Sequence, residues 1–248
     1  AQECHNEWKM VVSDNMFFND DALKYRVFKD SKLFLNTSLR ADFIDCSKWV
    51  EQAVSRNTGS LQQAKKELEE LQKTSMRICV TRSFEAVKNK VKQIDVDHPD
   101  WNYGILISNF AEQSVIRKAL PGWDIDYEGK NVVANGGYGK WFSGESMKLD
   151  KACTVYGSQG LELDCPVVIF GGDYVRYQNT WMARGDEYEK AKKKFENPAA
   201  IMENNYRVLL TRARKEMILL IPNVSELDEI YDFDETYDYF VKMGMDVL

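Results

Sequence analysis

Hydrophobic positions along this chain switch repeatedly between the spacing of a helix face and the unbroken runs of a buried strand. After the cap-like cluster Asn36-Thr37-Ser38, Ile44, Trp49, Val50 and Val54 trace one helical face, which ends at Asn57-Thr58-Gly59. Ser60 stands as the cap of the next helix, where Leu61, Ala64, Leu68 and Leu71 share a face among Lys and Glu. Arg77 to Thr81 predicts a short buried strand, and Phe84, Val87 and Val91 a helix behind it. Tyr103 to Ile107 predicts a second strand, and Glu112 to Leu120 a helix stopped by Pro121-Gly122. Asp124 to Asp150 is glycine-rich and reads as short strands and a loop. Val167 to Phe170 predicts a strand, with a loop running on to Trp181. Glu187 to Phe195 reads as a charged helix interrupted at Pro198, Ile201 to Arg214 as another helix, and Met217 to Ile221 as a final strand. Residues 1–31 show no clear period. This alternation predicts an α/β fold, a mostly parallel sheet with helices on both faces.

The 248 residues are 44% hydrophobic and 29% charged, which suits a globular α/β chain and excludes collagen-like, low-complexity and disulfide-scaffold classes. No apolar run approaches the roughly 18 residues of a membrane span, so no membrane partner is expected. The net charge of −6 argues against a nucleic-acid partner only until it is located. Glu226 to Asp238 holds seven acidic residues and no Lys or Arg, which leaves +1 on the rest. The chain from Glu226 onward also carries Tyr231, Phe233, Tyr237, Tyr239 and Phe240, and reads as a terminal helix packed on the core, as a docking segment for a basic partner, or as a cover over the nucleic-acid face. Cys4, Cys46, Cys79, Cys153 and Cys165 are odd in number and never paired as C-x-x-C, the usage of reduced thiols in a cytoplasmic protein. Cys4-His5 and the lone His98 lack a second ligand pair at zinc spacing, so no metal site is expected. The chain starts at Ala1 without a charged or apolar leader, which reads as a piece of something longer.

An α/β chain of this size invites a search for a phosphate loop. Around Gly139-Lys140 the Walker A pattern fails twice, with Ala134 in place of the first Gly and Trp141 in place of the Mg²⁺-binding hydroxyl. Gly136-Gly137-Tyr138-Gly139 has the wrong spacing for a dinucleotide fingerprint. Gly171-Gly172-Asp173 after its strand has the outline of a Walker B end, but without a phosphate loop it has no partner.

Two segments do carry chemistry. Thr154-Val155-Tyr156-Gly157-Ser158-Gln159-Gly160-Leu161-Glu162 precedes Asp164 and the strand from Val167. Its glycines let a backbone approach a ligand, N–H groups at a helix start favour phosphate, and Glu162 offers a carboxylate to ribose hydroxyls. A tight turn with a surface Glu is the plain alternative. In Asn204-Asn205-Tyr206-Arg207-Val208-Leu209-Leu210-Thr211-Arg212-Ala213-Arg214-Lys215, four basic groups lie beside an apolar stripe. On helical spacing Leu209 and Ala213 share one face, and Thr211 and Arg214 another. Planar guanidinium groups suit bidentate phosphate binding, and a solvated basic face is the alternative.

Together these segments resemble motifs V and VI of superfamily 1 helicases, the UvrD/Rep-like and Schlafen-type DNA/RNA helicase domains. Gln159-Gly160-Leu161-Glu162-Leu163-Asp164 resembles motif V, and Leu209-Leu210-Thr211-Arg212-Ala213-Arg214 resembles motif VI. Ser38-Leu39-Arg40 resembles the arginine-bearing motif IV, and Val80-Thr81-Arg82-Ser83 the loop after the following strand. Tyr156 and Gln159 stand where UvrD-like members often have His and Lys, which favours the Schlafen-type branch.

The resemblance implies the second RecA-like half of an ATP-driven motor. It divides the chain into a connecting segment (1–33) from a missing upstream domain, a RecA-like domain (34–222) and an acidic aromatic segment (223–248). It implies that Arg212 and Arg40 reach the γ-phosphate of ATP, and that Gln159, Gly160 and Glu162 meet the nucleotide. It further implies that Thr81, Arg82, Thr154, Tyr156 and Thr211 face a single-stranded or partly duplex nucleic acid. ATP and Mg²⁺ would be held mainly by a P-loop half, supplied in cis or by a partner subunit, and this chain alone would be silent. The second hypothesis is a RecA-like module that binds nucleic acid or protein without catalysis. An unrelated small-molecule enzyme would need a compact catalytic constellation, and the sequence offers none.

Overall fold

The computed structural model describes Met10–Val12, Val27–Lys29 and residues 44–119, 139, 141, 143–158, 160–223 and 233–248. It has two compact units, Ala1–Phe43 and Ile44–Leu248. In the first, β1 (Met10–Val12) pairs in parallel with β2 (Val27–Lys29). Strands of three residues are too short to print a period on the sequence.

The second unit opens with α1 (Ser47–Val54) and α2 (Leu61–Gln72). Ser60 caps α2 as expected, accepting from the Gln63 N–H. Then come β3 (Arg77–Thr81), α3 (Phe84–Asp97), β4 (Tyr103–Ile107) and α4 (Gln113–Ala119). Beyond a 3-10 turn (Glu145–Lys148) follow β5 (Ala152–Thr154), the single turn α5 (Val155–Ser158) and β6 (Cys165–Ile169). The chain continues through β7 (Tyr174–Tyr177), β8 (Thr180–Ala183), α6 (Gly185–Lys192) and α7 (Pro198–Leu210). It closes with β9 (Glu216–Leu220), α8 (Phe233–Met243) and β10 (Asp246–Val247).

The main sheet is wholly parallel, in the order β10-β3-β9-β6-β4-β5. Alternate residues divide the core between its faces. Ile78, Val80, Leu106, Val168, Met217 and Leu219 meet buried side chains of α1, α2, α7 and α8. Ile105, Ile107, Val167, Ile169, Ile218 and Leu220 meet Val87, Val91 and Ile94 of α3 and Ile116 of α4. This is the α/β architecture of a RecA-like fold, with helices on both faces. The cysteines in the described residues, Cys46, Cys79, Cys153 and Cys165, are free and buried. Among the described residues no helix is long and apolar enough to cross a membrane.

Three local expectations change. The stretch before Trp181 is an antiparallel hairpin, β7 on β8, turned through Gln178 and Asn179, both at positive φ (51° and 64°). That is the two-residue turn matching strand twist, built here from Gln-Asn without the usual Gly. Trp181 is consequently core: it is 4% exposed, stacks on Tyr174 at 5.1 Å, and donates its indole N–H to Ala53 O at 2.7 Å. Pro198 starts α7 instead of interrupting a helix, where a missing N–H costs nothing, and Asn197 caps it. At its other end α7 stops at Leu210, short of the expected Arg214, because Ala213 leaves to form a parallel bridge with Leu163.

The acidic segment is also core where the structure describes it. Phe233, Tyr239, Phe240 and Met243 of α8 are buried, and Met243 Sδ accepts from the Trp49 indole at 3.2 Å. Of the readings of this segment, the described residues show the packed terminal helix.

Candidate functional site

The sheet sorts the candidate residues to its two ends. Register places Thr81, Leu220, Ile169, Ile107 and Thr154 in one row along the carboxyl-terminal edge. Thr81 and Thr154 belong to strands four spacings apart, about 19 Å at the usual inter-strand distance. They do not form one pocket; they mark a line across the top of the sheet.

On the β3 side this line is covered. Thr81 is 1% exposed and donates to Leu248 O at 3.2 Å. Arg82 pairs with Asp234 of α8, donates to Pro222 O at 3.1 Å and lies over the Tyr237 ring. On the β5 side no described residue covers Tyr156. Tyr156 is 67% exposed, and its N–H donates to Asn109 Oδ1 at 3.4 Å. Thr154 is half-buried beside it.

Glu162, Thr211 and Arg212 lie at the opposite end, just before β6 and β9 begin. The Leu163–Ala213 bridge is built from Leu163 N–H to Arg212 O at 3.1 Å and Arg214 N–H to Leu163 O at 2.9 Å. Arg212 Nη1 donates to Leu161 O at 3.3 Å. Asp164 extends the join: its carbonyl accepts from the N–H groups of Lys215 and Glu216, and its Oδ2 from the Asn102 N–H at 2.9 Å. Gly160 has φ +78°, a left-handed value that favours glycine, and no atom lies within 4 Å of where a Cβ would sit. Thr211 spends its hydroxyl locally, donating to Arg207 O and Val208 O, each at 3.0 Å, as α7 ends. It is therefore placed with Arg212 and away from Thr81, Thr154 and Tyr156. Arg40 and Gln159 fall outside the described residues.

Sequence reasoning missed a buried polar node beneath the carboxyl-terminal edge. Tyr206 of α7 donates its hydroxyl to Asp173 Oδ1 at 2.6 Å and accepts from the Gly171 N–H at 3.0 Å. Asn205 donates to Ser108 Oγ at 3.2 Å. Asp173, from the Walker B-like Gly171-Gly172-Asp173, thus faces the interior at 0% exposure. Glu112 accepts from the Glu187 N–H at 2.7 Å, and a Cβ on Gly185 (φ +88°) would stand 2.3 Å from Glu112 Oε1. The only hint in the sequence was the Gly-Gly-Asp itself, because its partners are far along the chain.

Burial pushes the Asp173 carboxyl up to about 6, although the Ser108 and Tyr206 hydroxyls pull the other way. Burial, followed by the Glu187, Asp186 and Asp173 carboxylates, pushes Glu112 up to about 7 against the Glu187 N–H. Both folded values exceed those of the unfolded chain, so the stability these groups give is full at low pH and is lost as pH rises through the folded values. Unfolding free energy should therefore fall between about pH 4 and pH 7, by on the order of 1–3 kcal/mol for Asp173. Urea unfolding across that range checks it. Asp173→Asn with Glu112→Gln should flatten the slope, and an equal slope in the double variant would remove these groups as its source.

A family model described as Schlafen group 3, DNA/RNA helicase domain, matches residues 2–223. The chain belongs to this family. No match is found among curated proteins. The Schlafen-type match covers both segments that meet at the Leu163–Ala213 bridge and stops before α8. It makes the chain a helicase-like domain, with a function related to nucleic acid. Among the described residues no group of three His, Cys, Asp or Glu side chains is placed to hold a metal ion.

Proposed function

We propose that the chain is the second motor half of a nucleic-acid-dependent ATPase or helicase, with residues 159–164 as motif V and residues 209–214 as motif VI. The observation that carries this reading is the Leu163–Ala213 bridge, which ties Glu162 and Arg212 to one end of the sheet although they are fifty positions apart in sequence. A left-handed glycine, a carboxylate and a guanidinium brought to one end of the sheet fit one flank of a nucleotide. Glu162 would accept from ribose hydroxyls, Gly160 and Gln159 would lie along the phosphates, and Arg212 with Arg40 would face the γ-phosphate. Bound ATP and Mg²⁺ would supply the phosphoryl group that passes to water, and the P-loop half would hold them.

Arg212 works through position. Its Nη1 bond to Leu161 O and its backbone bond to Leu163 fix the guanidinium against motif V. Charge developing on the phosphoryl oxygens then meets a donor that needs no rearrangement. The nucleic acid would run along the other end of the sheet, over Thr154 and Tyr156. Thr81 and Arg82 lie under β10 and α8, and Thr211 lies with Arg212, so of the residues that the resemblance assigned to the strand Thr154 and Tyr156 would carry it. Separate ends for nucleotide and strand allow a movement at one to be felt at the other through β6, β9 and α7.

The test is direct. The 248-residue chain alone should hydrolyse no ATP above background and should gain turnover only with a P-loop half present, in cis or in trans. Turnover by this chain alone would overturn the assignment.

A further inference from the structure

Among the described residues of the Ile44–Leu248 unit, the exposed Phe, Tyr and Trp side chains are Tyr156 and Phe195, at 67% and 42%. The two are 39 positions apart in sequence, in α5 and just past α6, yet both are held by one turn. The Tyr156 N–H donates to Asn109 Oδ1, and the Phe195 ring stands edge-on to Phe110 at 6.3 Å. That turn follows β4 directly. It is closed by the Ala111 N–H to Ser108 O, by the Phe110 N–H to Ser108 Oγ at 3.1 Å, and from below by Asn205 on the same Oγ. Two aromatic faces left to solvent on a rigid support are what a base-stacking surface requires.

The charge beside them has the right sign. On α6, Lys190 and Lys192 are matched by Glu187 and Glu189. Lys193 and Lys194 follow, both exposed and with no ion pair among the described residues, and Glu196 is the one acid in the same turn. Lys194 and Phe195 both donate their N–H groups to Ala191 O, so the turn that carries them is ordered.

We infer that Tyr156, Asn109, Phe110 and Phe195, with Lys193 and Lys194, form a platform for single-stranded nucleic acid. The rings stack on bases and the ammonium groups meet phosphates. The platform carries the strand beyond Thr154 and Tyr156, off the sheet edge and onto the end of α6. Stacking is tolerant of sequence because every base has a π face, so the contact holds a strand without reading it. The inference rests on the reading of the chain as a nucleic-acid-engaging motor half and adds the path the strand takes.

The experiment is fluorescence anisotropy of the 248-residue chain with labelled oligo-dT and oligo-U of about 12 nucleotides, and with a duplex of equal length. Phe195→Ala and Tyr156→Ala should each weaken single-strand binding about 5- to 100-fold. Phe195→Leu keeps an apolar side chain against Phe110 but has no ring, and should lose nearly as much while unfolding at the wild-type temperature. Lys193→Gln with Lys194→Gln should reduce the salt slope by about 1.4. Lys65→Gln with Lys66→Gln, the same charge change on α2, should leave it in place.

Unchanged affinity in Phe195→Leu and in the Tyr156/Phe195 double alanine variant would overturn the platform, as would equal affinity for duplex. The motor reading fails separately, if ATP turnover of the complete protein ignores Arg212→Ala. A chain that binds single strands through Phe195 in that case keeps the platform and loses the motor.

Discussion

With a P-loop half present, Arg212→Ala should lower ATP turnover by about 10³- to 10⁵-fold, the range over which arginine fingers act. The size of the loss follows from what the side chain does. It places a permanent charge with planar donors at one point, against a backbone that two hydrogen bonds hold still. Arg212→Lys should recover little, since a compact ammonium cannot keep the Leu161 carbonyl while also presenting a fork to phosphate. The structural cost is modest. Arg212 is half-buried, and its guanidinium's bond to Leu161 O is charge-assisted, worth about 1.5–3 kcal/mol. A coupled ATPase assay, read beside thermal unfolding and strand binding, separates the two effects. Wild-type turnover in the alanine variant would sink the assignment of this arginine.

Truncation after Asn223 should leave a chain that does not fold cooperatively. The cut lies at the end of the family match and removes residues 224–248, with α8, β10 and the terminal Leu248. Those elements nevertheless hold Phe233, Phe240 and Met243 at 0–1% exposure. Phe240 sits 5.4 Å from Phe170 and 5.9 Å from Trp181, inside the aromatic cluster that also holds Tyr174 and Tyr206. Removing α8 opens that cluster and strips Met243 from the Trp49 indole, Thr236 from the Arg176 N–H, and Asp234 from Arg82. Without β10, the Val80 and Cys79 backbone becomes a bare sheet edge. A single Phe240→Ala should already cost about 3–5 kcal/mol, so losing the whole helix exceeds the stability of a typical domain. Circular dichroism with urea unfolding measures both variants. A truncated chain unfolding cooperatively within about 1 kcal/mol of the full one would show that α8 is an accessory.

Legibility followed the range of the forces involved. β3 and β4 lie where their apolar runs predicted them, from Arg77 to Thr81 and from Tyr103 to Ile107. α2 and α3 begin at Ser60 and Ser83, whose hydroxyls accept from the N–H groups of Gln63 and Ala86. These are local matters: a strand buried on both faces needs an unbroken run, and a helix start needs a short acceptor. A parallel sheet with helices on both faces was legible for the same reason.

Tertiary structure decided the rest. Residues 211–215 contain good helix formers, and nothing nearby announces that Ala213 pairs with Leu163, fifty residues earlier. The hairpin at Gln178-Asn179 is held by what Tyr174 and Trp181 pack against. That Arg82 meets Asp234 of α8, 152 residues further on, was equally out of reach of local pattern. The same holds for Asp173, whose carboxylate accepts from the Tyr206 hydroxyl of α7. The division of the candidate residues between two ends of one sheet was likewise invisible, because it depends on strand register. By itself the sequence determined which elements form, through side-chain period and caps, and which residue types are available for phosphate and base chemistry. Which of those residues meet, and which are already taken, depended on contacts between distant positions, whose cost in chain entropy only the completed core repays.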